Sequence, residues 1–173
     1  MEPNENKKFP RSFWTANVTE LFERGAYYAM ASFVVIYLGQ LGLGDYWPSV
    51  LNGVLWTLIY FLPILSGTIA DQVGFRKSLI LAFILLTAGY LFMGSPVWSG
   101  GAELRDTVGK KFTAGIDVLL PMMLGILLIG VGGSFVKPCI GGTVHRTAVG
   151  KATLGFDIFY MGIDIGSLLG CSV

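Results

Sequence analysis

Charged side chains crowd one apolar stretch near the start of the chain. From Thr19 to Met30 it reads TELFERGAYYAM, placing Glu20, Glu23 and Arg24 within five positions, followed by Tyr27 and Tyr28. On a helix, Glu20 and Arg24 stand at i and i+4, and Tyr27 follows Arg24 by three. Glu20, Arg24, Tyr27 and Ala31 then share one stripe, flanked by Glu23 and Tyr28. Burial favours a neutral carboxylic acid and a neighbouring cation favours the anion, so such a group can take up and release a proton. The spacing predicts a Glu20–Arg24 pair, with Glu23 left to find a second cation or a proton. The cluster is either a polar lock between helices or a proton- or ion-coupling site.

Other residues with chemistry lie far downstream. Lys137 and Pro138 interrupt the apolar, glycine-dense run GILLIGVGGSFVKPCIGG. Pro138 cannot donate to the carbonyl of Ser134, which frees a polar group beside Lys137. Counting from Val118, Lys137 lies roughly 28 Å along its segment, where its long stem can either face a cavity or snorkel to an interface. Asp157 and Asp164 are seven apart in GFDIFYMGIDIGSLLG, on one face of a helix, while Gly162, Gly166 and Gly170 form a small-residue packing ridge. Tyr60 and Pro63 share an upstream segment that the proline should kink. His145, the single histidine, sits beside Arg146 and reads as interfacial. Cys139 and Cys171 have no metal-ligand spacing and read as small apolar residues. The sequence offers no metal site and no enzyme motif such as HExxH or GxSxG.

The elements that must position these groups follow from composition. Hydrophobic residues make up 53% of the 173 positions and charged residues 13%, with 24 glycines. Mean hydropathy is +0.66. Soluble domains carry roughly 25% charged residues, so this chain lacks the polar surface to cover itself in water. It reads as an all-α, polytopic transmembrane bundle whose first partner is the lipid bilayer. A net charge of +1 gives no reason to expect nucleic acid. Five apolar stretches are long enough to cross: about 13–40, 48–70, 77–96, 118–144 and 153–173.

Lys and Arg set the orientation. Lys7, Lys8 and Arg11 precede the first span, Arg76 and Lys77 follow the second, and Arg146 and Lys151 follow the fourth. On the other side stands Asp45, and a loop of about 97–117 sets Arg105, Lys110 and Lys111 against Glu103, Asp106 and Asp117. The N-terminus, residues 1–12, is therefore expected in the cytoplasm, and residues 13–173 in the bundle. Trp14, Trp47 and Trp98 fall near span ends, as interfacial aromatics do. At an intramembrane position each charge of the opening cluster costs about 2.5–3.5 kcal/mol, which weights the coupling reading over the structural one. The absence of a polar tail after GSLLGCSV suggests a chain cut short.

Four motifs, in order, resemble the proton-dependent oligopeptide transporter family of the major facilitator superfamily. The first helix of that family carries ExxERFxYYG. Glu20, Glu23, Arg24, Tyr27 and Tyr28 match it, Gly25 replaces the Phe, Ala29 the Gly, and Ala31 a further Arg. The stretch GTIADQVGFRKS is similar to the superfamily loop GxxxDxxGRRxx through Gly67, Asp71, Gly74 and Lys77, with Phe75 at the first basic position and Arg76 behind it. The family's GxGxxKPN is approached by Gly130, Gly132, Lys137 and Pro138, with Cys139 for the Asn. Its FYxxINxGSL is matched by Phe159, Tyr160, Ile163, Gly166, Ser167 and Leu168, with Asp164 for the Asn.

The resemblance runs from about Phe13 to Leu169. It implies part of the N-terminal half of a transporter whose C-terminal half lies outside this sequence. It implies proton coupling through Glu20, Glu23, Arg24 and Lys137. Substrate would be bound by Arg24, Tyr27, Tyr28, Tyr60, Lys137 and Asp164, with the proton as coupling ion and no other cofactor. Gly67, Asp71, Gly74, Arg76 and Lys77 would form a conformational gating loop. The expected function is proton-coupled symport of short peptides or related solutes across a plasma or bacterial inner membrane. A major facilitator with another substrate, and a non-transporting membrane fragment, are the alternatives.

Overall fold

The computed structural model describes residues 8–100 and 114–172. Lys7, Glu103, Arg105, Asp106, Lys110 and Lys111, part of the charge balance that sets the expected orientation, lie outside the described residues. Among the described residues every regular element is helical. The helices are α1 (Arg11–Leu38), α2 (Tyr46–Phe61), α3 (Pro63–Val73), α4 (Phe75–Trp98), α5 (Ile116–Thr147) and α6 (Ala152–Cys171).

Helix ends follow local chemistry. A π-helical turn, Gly39–Leu43, extends α1, and the chain leaves it through Gly42 at φ 85° and Gly44 at φ 69°. Side chains rarely adopt that region, so glycine permits the exit. Pro63 opens α3 at its first turn, where a missing N–H costs little. The expected kink of the second span is therefore a break: α2 and α3 meet at 48°. Four continuous stretches, Arg11–Leu43, Phe75–Trp98, Ile116–Thr147 and Ala152–Cys171, are long and apolar enough to cross a bilayer. The bent pair α2–α3 makes a fifth. At 32 residues, α5 outruns the predicted 118–144. Its length of about 48 Å exceeds a hydrocarbon core of roughly 30 Å, so it tilts or projects from it.

Small residues decide which helices touch. The ridge Gly162, Gly166 and Gly170 is buried against α1, as its spacing suggested. A Cβ on Gly166 would stand 2.6 Å from the Leu21 carbonyl oxygen and 3.2 Å from the Gly25 nitrogen, so only glycine lets the two backbones approach this far. Gly89 of α4 and Gly125 of α5 make a similar crossing: a Cβ on Gly89 would lie 2.9 Å from the Gly125 carbonyl oxygen. Helix α5 packs against every other α-helix and forms the middle of the bundle. Large apolar side chains such as Phe22, Phe61, Ile64 and Ile84 point outward, as lipid-facing residues do. The molecule is an all-α transmembrane bundle.

Candidate functional site

Helix α1 turns Glu20, Glu23, Arg24 and Tyr27 inward, and all four are buried. The expected i, i+4 ion pair of Glu20 with Arg24 is present, but Arg24 binds Glu23 more tightly. Arg24 donates from Nε to Glu23 Oε2 at 2.5 Å and from Nη2 to Glu23 Oε1 at 2.7 Å. This two-pronged bond uses the planar match of guanidinium and carboxylate. Glu20 Oε1 lies 3.5 Å from Arg24 Nε, and neither Glu20 oxygen accepts a hydrogen bond from the described residues. The unsatisfied carboxyl is thus Glu20, at 0% exposure, and not Glu23. Sequence spacing ranks i, i+4 neighbours as facing pairs. The long Arg24 side chain also curls back to its immediate neighbour, where the fork gives the better hydrogen-bonding geometry.

The cluster is continued by aromatic rings. The Arg24 guanidinium stands 5.0 Å from the centre of the Tyr27 ring. Tyr27 meets Tyr28 edge-on at 5.4 Å and Trp56 of α2 at 6.3 Å, and Trp56 stacks on Tyr60 at 5.5 Å. Tyr60 therefore joins the first helix through Trp56, a residue the sequence reading did not single out. Its position four before Tyr60, on the same helical face, was the available signal.

Lys137 of α5 is exposed, and none of the ion pairs among the described residues involves it. Asp164 lies on the exposed face of α6, away from the glycine ridge, and none of the ion pairs among the described residues involves it. A lock of Asp164 to Arg24 or Lys137 is absent from this conformation. Beneath these groups, the Ser134 carbonyl freed by Pro138 accepts a hydrogen bond from Ser66 Oγ at 2.7 Å.

The α3–α4 loop lies at the end of the bundle that also carries the α5–α6 turn. Gly74, at φ 100°, makes the turn between the two helices. Asp71 Oδ1 is 4.0 Å from Arg146 Nη2, and the Arg146 guanidinium lies 4.3 Å from the centre of the Phe75 ring. Phe75 at a basic position thus receives a cation instead of supplying one. Gly67, Asp71, Phe75, Pro138, Gly142, His145 and Arg146 line a cleft of about 320 Å³ there. Arg76 and Lys77, which the structure places in the first turn of α4, make no ion pair among the described residues.

The chain matches no family model. It is 31% identical over 168 residues to solute carrier family 15 member 1 of Oryctolagus cuniculus, covering 93% of this chain and 23% of that protein. It is 27% identical over 172 residues to the di-/tripeptide transporter of Lactococcus lactis, covering 92% of this chain and 31% of that protein. Peptide transporter family 1 of Drosophila melanogaster is 27% identical over 168 residues, with 93% of this chain and 21% of that protein covered. The chain therefore spans between 21% and 31% of the length of these relatives. Relatives and apolar helices together make it a multi-pass membrane protein.

Proposed function

We infer that this chain belongs to the proton-dependent oligopeptide transporter family, and we propose that it forms part of a proton-coupled symporter for short peptides. Major facilitators bind substrate between two helical halves at the midplane and alternate access by moving one against the other. In this reading the chain contributes one wall of the site, and it acts as a transporter with no catalytic chemistry and no cofactor beyond the proton.

The observation that carries the reading is the buried trio on α1. Glu23 is already neutralised by Arg24, whereas Glu20 is enclosed without a hydrogen-bond donor. Glu20 takes the transported proton, and Glu23 holds Arg24 until a substrate carboxylate competes for it. Lys137, exposed on α5, binds the peptide C-terminus. Tyr27, Tyr28, Trp56 and Tyr60 form an aromatic shelf for the peptide. Asp164, accepting only, favours peptides that bring an ammonium or other cation. Asp71, Arg146 and Phe75 close the gating loop onto α5. A proton moving down 100 mV supplies about 2.3 kcal/mol, enough for roughly fiftyfold accumulation.

The test is uptake by liposomes holding the complete transporter, driven by a pH step. Dipeptides should accumulate and unrelated solutes should not. In the same assay Asp164→Asn should lower the preference for lysyl over neutral dipeptides several-fold. Accumulation of a non-peptide solute alone would reject the peptide reading, and an unchanged preference would reject the role given to Asp164.

A further inference from the structure

A short stretch of α3 grips α5 on both sides of Lys137. Pro138 lacks a backbone N–H, so the Ser134 carbonyl has no helical donor. The Ser66 hydroxyl supplies one across the helix interface, at 2.7 Å. Ser66 is 1% exposed and Ser134 0%, so no part of this bond is open to bulk solvent. The hydroxyl of Ser134 is itself engaged, donating to the Val131 carbonyl at 2.7 Å. The next residue of α3, Gly67, lies against the same proline: a methyl group on it would stand 3.6 Å from Pro138 Cβ. Two turns further along α5, Arg146 meets Asp71, again from α3. Lys137 lies between these two attachments.

We propose that Ser66 is a positioning residue. By satisfying the carbonyl that Pro138 exposes, it fixes the local course of α5 and hence where Lys137 is presented. Because Ser66 directly precedes Gly67 and lies five residues before Asp71, it also ties that presentation to the gating loop. A buried carbonyl left without a donor is unfavourable, so its loss should let this stretch of α5 shift. The inference rests on the reading of Lys137 as the group that binds the peptide carboxylate.

The experiment compares uptake of a dipeptide with that of its C-terminal amide by the complete transporter in liposomes. The unsubstituted protein should prefer the free acid. Ser66→Ala should lower that preference by about tenfold, and Ser66→Thr, which keeps the hydroxyl, should restore it. Pro138→Ala returns a backbone N–H to the Ser134 carbonyl, so in that background Ser66→Ala should change the preference by less than about twofold. Should the alanine variant fail to reach the membrane, Ser66→Cys, a weak donor, should give an intermediate loss.

Equal losses of acid and amide uptake, or an unaltered preference, would overturn the role of Ser66 alone. An equal effect of Ser66→Ala with and without Pro138 would do the same. An unsubstituted protein that accumulates neither peptide would overturn the transport reading and this inference with it.

Discussion

At the scale of single residues, two carboxylates three positions apart meet the same guanidinium differently: Glu23 through a two-pronged hydrogen bond, Glu20 at 3.5 Å and without one. Glu23→Gln replaces the anion in the fork with a neutral amide and leaves Glu20, at 3.5 Å, as the remaining counter-charge of the buried guanidinium. It should cost about 1.5–3 kcal/mol, visible as a lower thermal midpoint in detergent. Glu20→Gln exchanges an enclosed carboxyl for an amide of the same shape and should stay within about 1 kcal/mol of the parent. Uptake by the Glu20→Gln protein should lose its pH dependence while counterflow of peptide persists. Similar midpoints for both variants would contradict the division of labour. The members of this cluster were legible in the sequence, because charges in an apolar span are conspicuous. The Glu20–Arg24 contact was legible too, but the Glu23 fork was not, because it depends on how one long side chain folds back. Trp56 was hidden for the opposite reason: an aromatic residue in an apolar run looks like packing.

At the scale of elements, glycine spacing indicated the packing face of α6, and the structure seats that face on α1. The register of the two helices can be checked directly. Ser32 Oγ lies 3.9 Å from Cys171 Sγ, so Ser32→Cys should form a disulfide with Cys171 under mild oxidation. The readout is protection of both thiols from alkylation. Gly166→Val, whose side chain would meet the Leu21 carbonyl, should push the helices apart and prevent the bond. Free thiols in the single variant would mean a different register. Pro63 and Pro138 show what sequence can and cannot say about a broken ladder. The missing donor is read from the proline itself, and the bend at α2–α3 was foreseen. The replacement donor for Ser134 is 68 positions away, so only the fold reveals it.

At the scale of the whole molecule, basic residues gather at the turns between α3 and α4 and between α5 and α6, with Lys8 and Arg11 at the start of α1. By the positive-inside rule we propose that this end faces the cytoplasm. Ser99, just beyond α4 at the opposite end, should then be outside. The variant Ser99→Cys should react with an impermeant thiol reagent in intact cells, and reaction only after permeabilisation would invert the topology. The number of spans was legible from the apolar runs alone, because a bilayer demands about 20 such residues per crossing. The central place of α5 was less so: long apolar helices look alike until glycines find their partners.

The Glu23–Arg24 fork has a consequence for biosynthesis. Its two members are adjacent in sequence and on one helix, so the pair can close as soon as that turn forms, before α2 has been made. The first span can leave the insertion machinery with two of its three charges already cancelled, leaving only Glu20, which a proton can neutralise. A pairing that waited for Lys137 on α5 would instead oblige α1 to linger, unpartnered, while the whole of α2, α3 and α4 was synthesised.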